Sequence, residues 1–358
     1  MPSRPHFSPA DLRVPLVQAP MAGGGSPPAL AAAAARAGAL GFLAGGYLTP
    51  DALAAQIAET RALLASAPAA SAAAPAPAFG VNLFVPQPPA EPERLAAYRA
   101  ELARTEAARY GVELPEPDLA DDDAWPRKLE LLLDDPVAVV SFTFGLPEAA
   151  TVSRFRQQGT YTIGTVTSAE EAHRAVAAGV DAICVQGPEA GGHRGVFDPA
   201  ATPSTTPLPE LFAEVRGAVG PAGPPLIAAG GLATGREAAR LRAAGAALTQ
   251  HGTAFLRAQE AGTPPPHKEA LVDPAFGETV VTRAFSGRWV RTLRNRFTDQ
   301  HPDAPAVYPA INQLTRPLRA AAAKSGDAQG MGLYAGVHHR LAQAAPAATI
   351  IEGLAAHD

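Results

Sequence analysis

The sequence contains very little cysteine and no long apolar run. Cys184 is the single cysteine among 358 residues, which excludes an internal disulfide and makes a reducing cytoplasm the expected compartment. The richest apolar stretches are mostly alanine and fall short of the ~18 strongly apolar residues of a membrane span. The segment from Met1 to Phe7 carries charge with no apolar stretch behind it, so we expect no signal peptide.

A large net charge is also absent. The formal charge is −5, with 18% charged and 47% hydrophobic residues. This is an ordinary composition for a soluble protein, and it argues against a general affinity for nucleic acid or an anionic membrane. No histidines or carboxylates have convincing metal-ligand spacing, so we predict no metal. A chain of this length can bury a large core, as one big domain or as a barrel with an appendage.

The most informative stretch is a glycine-rich loop that follows a short apolar segment. Residues 182–185 have the composition of a buried strand, with Cys184 as a small core residue and Gln186 at the strand end. The loop then contains His193 and the glycines Gly187, Gly191, Gly192 and Gly195. Such a loop can close on a phosphate or a flat ring, and its histidine can exchange a proton near neutral pH. A glycine turn with a solvated histidine is the equally weighted alternative.

A repeated order of elements predicts the fold. Capping-box sequences begin helices at Ser168–Glu171 and Thr234–Glu237, and each helix leads through Ala-Ala-Gly into a strand. A similar order occurs around Gly38. At least six such units before residue 255 predict an α/β fold with a parallel sheet, and they favour a (β/α)8 TIM barrel over a doubly wound sheet. The first strand is not followed by G-x-G-x-x-G, which weakens the Rossmann alternative further.

Eight short apolar segments are the predicted strands, at 14–18, 39–44, 79–84, 137–145, 160–165, 182–185, 226–229 and 246–250. Helices are predicted at 29–37, 52–64, 92–110 and 148–158. Residues 65–78, nearly all Ala, Ser and Pro, and the acidic residues 111–127 are predicted to be surface loops.

Two adjacent turns predict a phosphate site. Barrel enzymes carry their chemistry at the carboxyl ends of the strands, and a phosphate is commonly held after the seventh and eighth. Here Ala229–Gly231 and Gln250–Thr253 occupy those two places. Their bare N–H groups and the following helix dipoles would face an anion. Plain turn glycines would explain either segment alone, but two neighbouring turns favour the phosphate.

The alternation of predicted strands and helices ends after residue 262, where we place a domain boundary. Residues 1–262 form the predicted barrel, 263–327 a small helical capping domain, and 328–358 a segment that returns to the barrel. The basic run from Arg283 to Arg296 is interpreted as a solvated face. A final helix is predicted at 337–344, with His338 and His339 on its surface.

These motifs together resemble the nitronate monooxygenase family. The matching pieces are Gln18–Gly24, Phe79–Asn82, Gln186–His193, Ala229–Gly231 and Gln250–Thr253, which run in the family order over most of residues 14–336. The resemblance implies an FMN-containing barrel that oxidises alkyl nitronates with O2 to carbonyl compounds and nitrite. It assigns His193 as the catalytic histidine. The implied cofactor-binding residues are Pro20, Met21, Ala22, Asn82, Thr165, Gln186, Gly191, Gly192, Ala229, Gly230, Gly231, Gln250, His251, Gly252 and Thr253.

Two departures from the family pattern bear on the outer contacts of the flavin and on the substrate. His251 stands where an apolar or small residue is expected, and Gly336-Val337-His338 stands where Gly-Gln-Gly is expected. A cationic His193 would attract an anionic nitronate, whereas a neutral one could remove a proton α to a nitro group. The expected partners are a small-molecule substrate and O2, without nucleic acid or membrane. The oligomeric state stays open, with a homodimer among the alternatives.

Three functions stay open at this point. Oxidation of nitronates, with or without acceptance of neutral nitroalkanes, is the first. A related FMN barrel that acts as an NAD(P)H-quinone or enoyl-thioester reductase is the second, because such enzymes share the flavin loops. A flavin-binding protein without turnover is the third.

Overall fold

Eight parallel strands form a barrel in the computed structural model, which describes residues 7–66, 77–88 and 92–356. In chain order the strands are β1 (Leu16–Gln18), β2 (Gly41–Ala44), β3 (Phe79–Phe84), β4 (Val139–Thr143), β5 (Tyr161–Val166), β6 (Ala182–Gln186), β7 (Gly192–His193), β8 (Leu226–Ala229), β9 (Leu248–His251), β10 (Thr279–Thr282) and β11 (Val290–Leu293). The barrel order is β1-β9-β8-β6-β5-β4-β3-β2, and a parallel bridge between Val17 and Leu40 joins the two ends. The predicted (β/α)8 architecture is confirmed.

Helices follow most barrel strands and cover the outside of the sheet. They are α1 (Pro28–Arg36), α2 (Pro50–Ala65), α3 (Pro92–Leu102), α4 (Ala108–Tyr110), α5 (Trp125–Asp134), α6 (Ala149–Gln157), α7 (Ala169–Ala178), α8 (Leu208–Val219), α9 (Gly235–Ala243), α10 (Pro265–Ala270), α11 (Arg296–Gln300), α12 (Ala310–Lys324) and α13 (Ala347–Ala355). Among the described residues, no helix combines the length and apolarity that crossing a membrane requires.

One of the two predicted capping boxes is complete. At α9, the Thr234 hydroxyl accepts from the Glu237 amide, and the Glu237 carboxylate accepts from the Thr234 amide. At α7, Ser168 caps the helix as predicted, but the carboxylate of Glu171 accepts from the amides of Thr167 and Phe197 instead. This buried carboxylate therefore ties the start of α7 to the loop that follows β7, so the predicted reciprocal box is wrong there.

The barrel interior is a packed apolar core. Val17, Phe42, Ile163 and Ile227 lie in it together with Cys184, which confirms the interpretation of this cysteine as a core residue. Burial raises the pKa of the Cys184 thiol to about 12. The thiol is therefore protonated at neutral pH and is not a nucleophile.

Several predicted elements differ from the structure. The acidic segment 111–127 leads into α5, whose start at Trp125 falls inside the predicted loop. The predicted helix 337–344 is a single 3₁₀ turn at His339–Leu341, and the C-terminal helix is α13, which begins directly after Pro346. His339 is buried and its Nδ1 lies 2.8 Å from the Leu271 carbonyl oxygen, so its assignment to the surface is wrong. Of the predicted loop 65–78, residues 67–76 lie outside the described residues.

The segment after the barrel is not purely helical. Its strands β10 and β11 pair antiparallel, and β11 also pairs antiparallel with β7 from the barrel loop. Phe285, Phe297 and Leu314 from this segment share an apolar core with Leu95 and Leu102 of α3. Residues 92–110 therefore pack with the cap. The domain boundaries at 262 and 327 stay predictions.

The packing of α1 on β2 generates a stability prediction. A Cβ added to Gly41 would lie 2.1 Å from the Ala31 carbonyl oxygen, so Gly41→Ala would force α1 away from the sheet. We expect a loss of about 1–3 kcal/mol in the free energy of unfolding. Gly217 is the matched control, because it lies on the exposed face of α8 with nothing within 4 Å of an added Cβ.

Gly217→Ala should instead stabilise the protein by about 0.5–1 kcal/mol, since alanine favours a helix interior. Urea unfolding followed by circular dichroism measures both variants. A Gly41→Ala variant as stable as the parent chain would contradict the close packing of α1 on β2.

Candidate active site

A cavity of about 600 Å³ lies at the carboxyl ends of the barrel strands. All the residues predicted from the sequence for a site are among those that line it: Pro20, Met21, Ala22, Asn82, Thr165, Gln186, Gly191, Gly192, His193, Ala229, Gly230, Gly231, Gln250, His251, Gly252 and Thr253. Its volume is within the usual range for ligand sites. The structure thus brings the predicted residues together, while the role of each stays a prediction.

The loop that carries His193 is held from two sides. From the barrel, Gln186 accepts from the Gly195 amide through Oε1 and donates to the His193 carbonyl through Nε2, at 2.8 and 2.9 Å. From the cap, β11 pairs with β7, with His193 opposite Val290. Two independent sets of hydrogen bonds therefore fix the backbone of this histidine.

One ring nitrogen of His193 is engaged by the cap. Nε2 lies 2.9 Å from Oγ of the buried Ser286, and this hydroxyl also donates to the Arg288 carbonyl at 3.3 Å. The Ser286 hydroxyl has a single hydrogen, so it either accepts from Nε2–H or donates to Nε2, and the tautomer of the neutral ring decides between the two. Nδ1 has no hydrogen-bond partner among the described residues, so it is the ring nitrogen available to a ligand in the cavity.

The His193 ring is surrounded by aromatic rings and carries no charge at neutral pH. Phe144 and Tyr334 have their ring centroids 5.4 and 6.0 Å from that of His193. Burial, followed by the positive charges of Arg288 and Arg319, lowers the pKa of His193 to about 3. Of the two expectations for His193, this favours the neutral form that can accept a proton over the cationic form that attracts an anion.

The turn after β8 requires glycine. Gly230 and Gly231 have φ of 111° and 68°, and a Cβ on Gly231 would lie 2.7 Å from the Glu189 Cβ. The turn after β9 is more tolerant, since Gly252 has φ of −109° and a Cβ there would lie no closer than 3.5 Å to the Ala19 Cβ. Both turns border the cavity, as the phosphate prediction requires.

The C-terminal segment with the unexpected Gly336-Val337-His338 lies against these turns. The Gly336 amide donates to Thr253 Oγ1 at 2.9 Å, and the Val337 amide donates to the Glu189 carbonyl at 3.2 Å. His338 lines the cavity and is exposed, as predicted, but it precedes a 3₁₀ turn and is not part of a longer helix. This departure from the family pattern thus forms part of the cavity wall.

His251 is held as a neutral histidine in the barrel end. Its Nδ1 lies 3.0 Å from the Leu232 carbonyl oxygen and its Nε2 3.0 Å from Thr249 Oγ1. Burial lowers the pKa of His251 to about 4, and the Leu232 carbonyl opposes this with a smaller effect. Both ring nitrogens already have protein partners, so the backbone of His251 is the part left for contact with a ligand.

The basic run 283–296 is not a solvated face. Arg288 is buried, with its guanidinium 4.0 Å from the centre of the Phe144 ring and hydrogen bonds to Gln87 and to the Val196 carbonyl. Arg291 donates to the Pro188 carbonyl at 2.9 Å. These arginines therefore fasten the cap to the barrel loops, and the interpretation from the sequence is wrong.

Several cavity residues were missed in the sequence, and most belong to the cap. One face of α12 lines the cavity with Asn312, Arg316, Arg319, Ala320 and Ala323, and Tyr47, His267 and Tyr334 line it from other segments. The spacing within α12 is helical and could have identified this face once the helix itself was predicted.

The lining residues carry positive but no negative side chains. Arg316 and Arg319 lie among them, whereas no aspartate or glutamate does within the described residues. In the same part of the chain, no group of three or more His, Cys, Asp or Glu residues is arranged to hold a metal ion. The cavity is therefore suited to anionic ligands.

Comparisons with known proteins agree on one family. The family model for nitronate monooxygenase matches residues 10–357. A nitronate monooxygenase of Paraburkholderia phytofirmans is 36% identical over 95% of this chain and 91% of its own.

Two solved structures extend the comparison. The nitroalkane oxidase from Streptomyces ansochromogenes superimposes with a TM-score of 0.89 at 48% identity, over 97% of this chain and 96% of that one. FabK from Thermotoga maritima superimposes with a TM-score of 0.70 at 26% identity, over 97% and 93% of the two chains. The similarity covers the barrel and the cap alike.

The burial of His251 generates a pH prediction. Its pKa is about 4 in the folded chain and ~6.5 in an unfolded one, so between these values the unfolded state binds a proton that the folded state does not. The contribution to stability is complete above pH ~6.5 and is lost as the pH falls toward about 4. His251→Gln should reduce the slope of unfolding free energy against pH by up to ~1.4 kcal/mol per pH unit in this window.

The control is His173→Gln, because His173 is exposed on α7. Urea unfolding at a series of pH values from 4.5 to 7 provides both slopes. Equal slopes for His251→Gln and the parent chain would show that His251 binds a proton in the folded chain as readily as in the unfolded chain.

Proposed function

Because the chain belongs to the nitronate monooxygenase family, whose members are flavin-dependent oxidoreductases, we propose that it oxidises alkyl nitronates with O2 to a carbonyl compound and nitrite, with FMN as its cofactor. The observation that carries this proposal is the cavity at the barrel mouth. It combines a neutral His193, the partly buried guanidinium of Arg319 and no carboxylate among its described lining residues, which suits an anionic substrate.

The residues around the cavity fit FMN. The glycine turns after β8 and β9 border the cavity and would offer their backbone N–H groups to one phosphate, as such turns commonly do in barrels. No carboxylate lines the described cavity to repel that phosphate. Asn82 is oriented by the hydroxyls of Ser141 and Thr143, which donate to its Oδ1 at 2.8 and 3.0 Å. Its amide N–H groups would then be available to an oxygen of the flavin ring. FMN, when bound, supplies the electron chemistry between substrate and O2.

His193 is proposed as the general base for neutral nitroalkanes. In the tautomer with the ring proton on Nε2, that N–H would donate to Ser286 Oγ. The lone pair on Nδ1 would then accept the proton α to the nitro group. The rings of Phe84, Phe144 and Tyr334 limit water around the imidazole, which keeps it neutral. A preformed nitronate has already lost that proton and needs only binding and orientation.

The test of the proposal is direct. We expect purified protein to be yellow, to release FMN on acid treatment, and to consume O2 and form nitrite with an alkyl nitronate. Release of FAD, or a colourless protein that does not take up FMN, would contradict the cofactor. Rapid anaerobic bleaching by NAD(P)H without nitronate turnover would favour a reductase, and a flavoprotein with neither activity would favour a binding role.

A substitution of His193 separates its proton transfer from substrate binding. We expect His193→Asn to keep FMN and to oxidise nitronates, but to lose ~100- to 10,000-fold in kcat/KM on any neutral nitroalkane that the parent accepts, since a positioned base has that effect. Both forms of one substrate are measured with both proteins. Equal losses on the two forms would refute the role as a base.

The phosphate turn is best tested at Gly252. Gly231 cannot be replaced cleanly, because its positive φ and the nearby Glu189 would strain any side chain. Gly252 has room for a Cβ, so Gly252→Ala should keep FMN affinity within about threefold, whereas Gly252→Asp should weaken it at least ~10-fold by charge repulsion.

Quenching of free flavin fluorescence measures both affinities. If Gly252→Asp binds FMN as tightly as Gly252→Ala, the phosphate does not lie at this turn.

A further inference from the structure

Arg319 is a guanidinium at the cavity that has no carboxylate partner within the part of the chain that the structure describes. It donates through Nη2 to Asn312 Oδ1 at 2.7 Å and through Nη1 to Tyr334 Oη at 3.3 Å, both of which are uncharged. Its Nε is buried and has no hydrogen-bond partner among the described residues. The position of this permanent charge is therefore fixed, while one of its donors is unused.

Tyr47 provides a second unused donor at the same cavity. Its Oη is buried beside the hydroxyl of Tyr308, which donates a hydrogen bond to it, so the O–H of Tyr47 itself has no acceptor among the described residues. Burial raises the pKa of Tyr47, so the hydroxyl stays protonated and can donate. The backbone has φ of 66°, a conformation that non-glycine residues rarely adopt, and the Asp123 carboxylate accepts from its amide at 2.9 Å. The ring is thus held in place, with its centroid 5.4 Å from that of Phe84.

Buried donors without acceptors are unfavourable unless a ligand satisfies them. An uncompensated guanidinium selects a ligand that is negatively charged, and its planar form suits a flat group with two oxygens. A nitronate has this shape and charge, and so does its inert isostere, an alkyl carboxylate.

We propose that Arg319 Nε–H and the Tyr47 hydroxyl form the subsite that binds the oxygens of the anionic nitro group in the substrate. The inference rests on the proposed function, which supplies the nitronate. The negative charge of the substrate would thus be bound by residues of the cap helix α12 and of the loop after β2. His193 would then be left free for proton transfer. Arg316, which is exposed at the cavity mouth, only raises the local concentration of anions.

The experiment compares three variants, Arg319→Gln, Tyr47→Phe and the control Arg316→Gln. Tyr47→Phe removes one hydroxyl without changing any charge near His193, and thereby separates hydrogen bonding from an effect on that histidine. The readouts are binding of butanoate by titration calorimetry and the steady-state kinetics of an alkyl nitronate, with FMN content and circular dichroism confirming that each variant is folded.

We expect Arg319→Gln and Tyr47→Phe each to weaken butanoate binding and to raise the KM for nitronate about 10- to 100-fold, because each loses a hydrogen bond to a charged group. Arg316→Gln should change both by less than about threefold at 0.15 M salt, where exposed charges are screened. If Arg319→Gln fails to fold, Arg319→Lys retains the charge without the planar fork and should show an intermediate loss.

The outcomes separate this inference from the proposed function. Nitronate oxidation with unchanged KM and butanoate affinity in Arg319→Gln and Tyr47→Phe would overturn the subsite and leave the function intact. Butanoate binding that depends on both residues, in a parent protein that does not oxidise nitronates, would support the anion subsite and reject nitronate as its substrate. Equal losses in Arg316→Gln and Arg319→Gln would reduce the role of Arg319 to general attraction.

Discussion

The short pairing of β7 with β11 is the interaction on which the site depends. A barrel loop rich in glycine has no side chains of its own to define its shape, so its backbone needs partners elsewhere. Gln186 supplies them from the barrel and β11 from the cap. Since both sets converge on His193, the position of this residue requires the barrel and the cap to be docked.

The docking of the cap on the barrel also influences the charge state of His193. Arg288 reaches from the cap into the barrel loops and stacks on Phe144, where its charge opposes protonation of His193. Burial contributes more to that effect than the charge does. The cavity therefore separates two properties that one histidine could not combine, a neutral base and a permanent positive charge, and places the charge on arginines.

The sequence was sufficient for the barrel and for identifying the residues that the barrel contributes to the cavity, because those signals are local. Each strand, helix start and glycine turn lies within a few adjacent residues, and the (β/α)8 order then brings all the turns to one end. The cap was poorly predicted because its structure depends on contacts between residues that are far apart in the sequence. Ser286 is 93 residues from His193 along the chain, and nothing in the local sequence indicates that they touch.

The basic run shows why such errors arise. Arginines at close spacing are usually solvated, and here the docked barrel loops and their carbonyl groups bury them instead. The burial of His339 has a similar cause, because the partner of its Nδ1 is the Leu271 carbonyl, 68 residues away in the cap. Local composition identifies these residues as polar but cannot identify the acceptor that compensates their burial.

The division of the cavity has a consequence for substrate choice. The barrel contributes mainly glycines, small residues and backbone, whose contacts depend little on side-chain identity. The cap, the C-terminal segment and the loop after β2 contribute Arg316, Arg319, Tyr334 and Tyr47, whose contacts depend entirely on side-chain identity. Substitutions in the cap can therefore change the charge and shape offered to a substrate while the turns after β8 and β9 stay intact. Conversely, the tight approach of the Gly191 loop to the backbone of Ala335 and Gly336 leaves little room for change between the two halves. The physical limit on altering specificity in this fold is thus the contact between barrel loop and C-terminal segment, not the α12 face that lines the cavity.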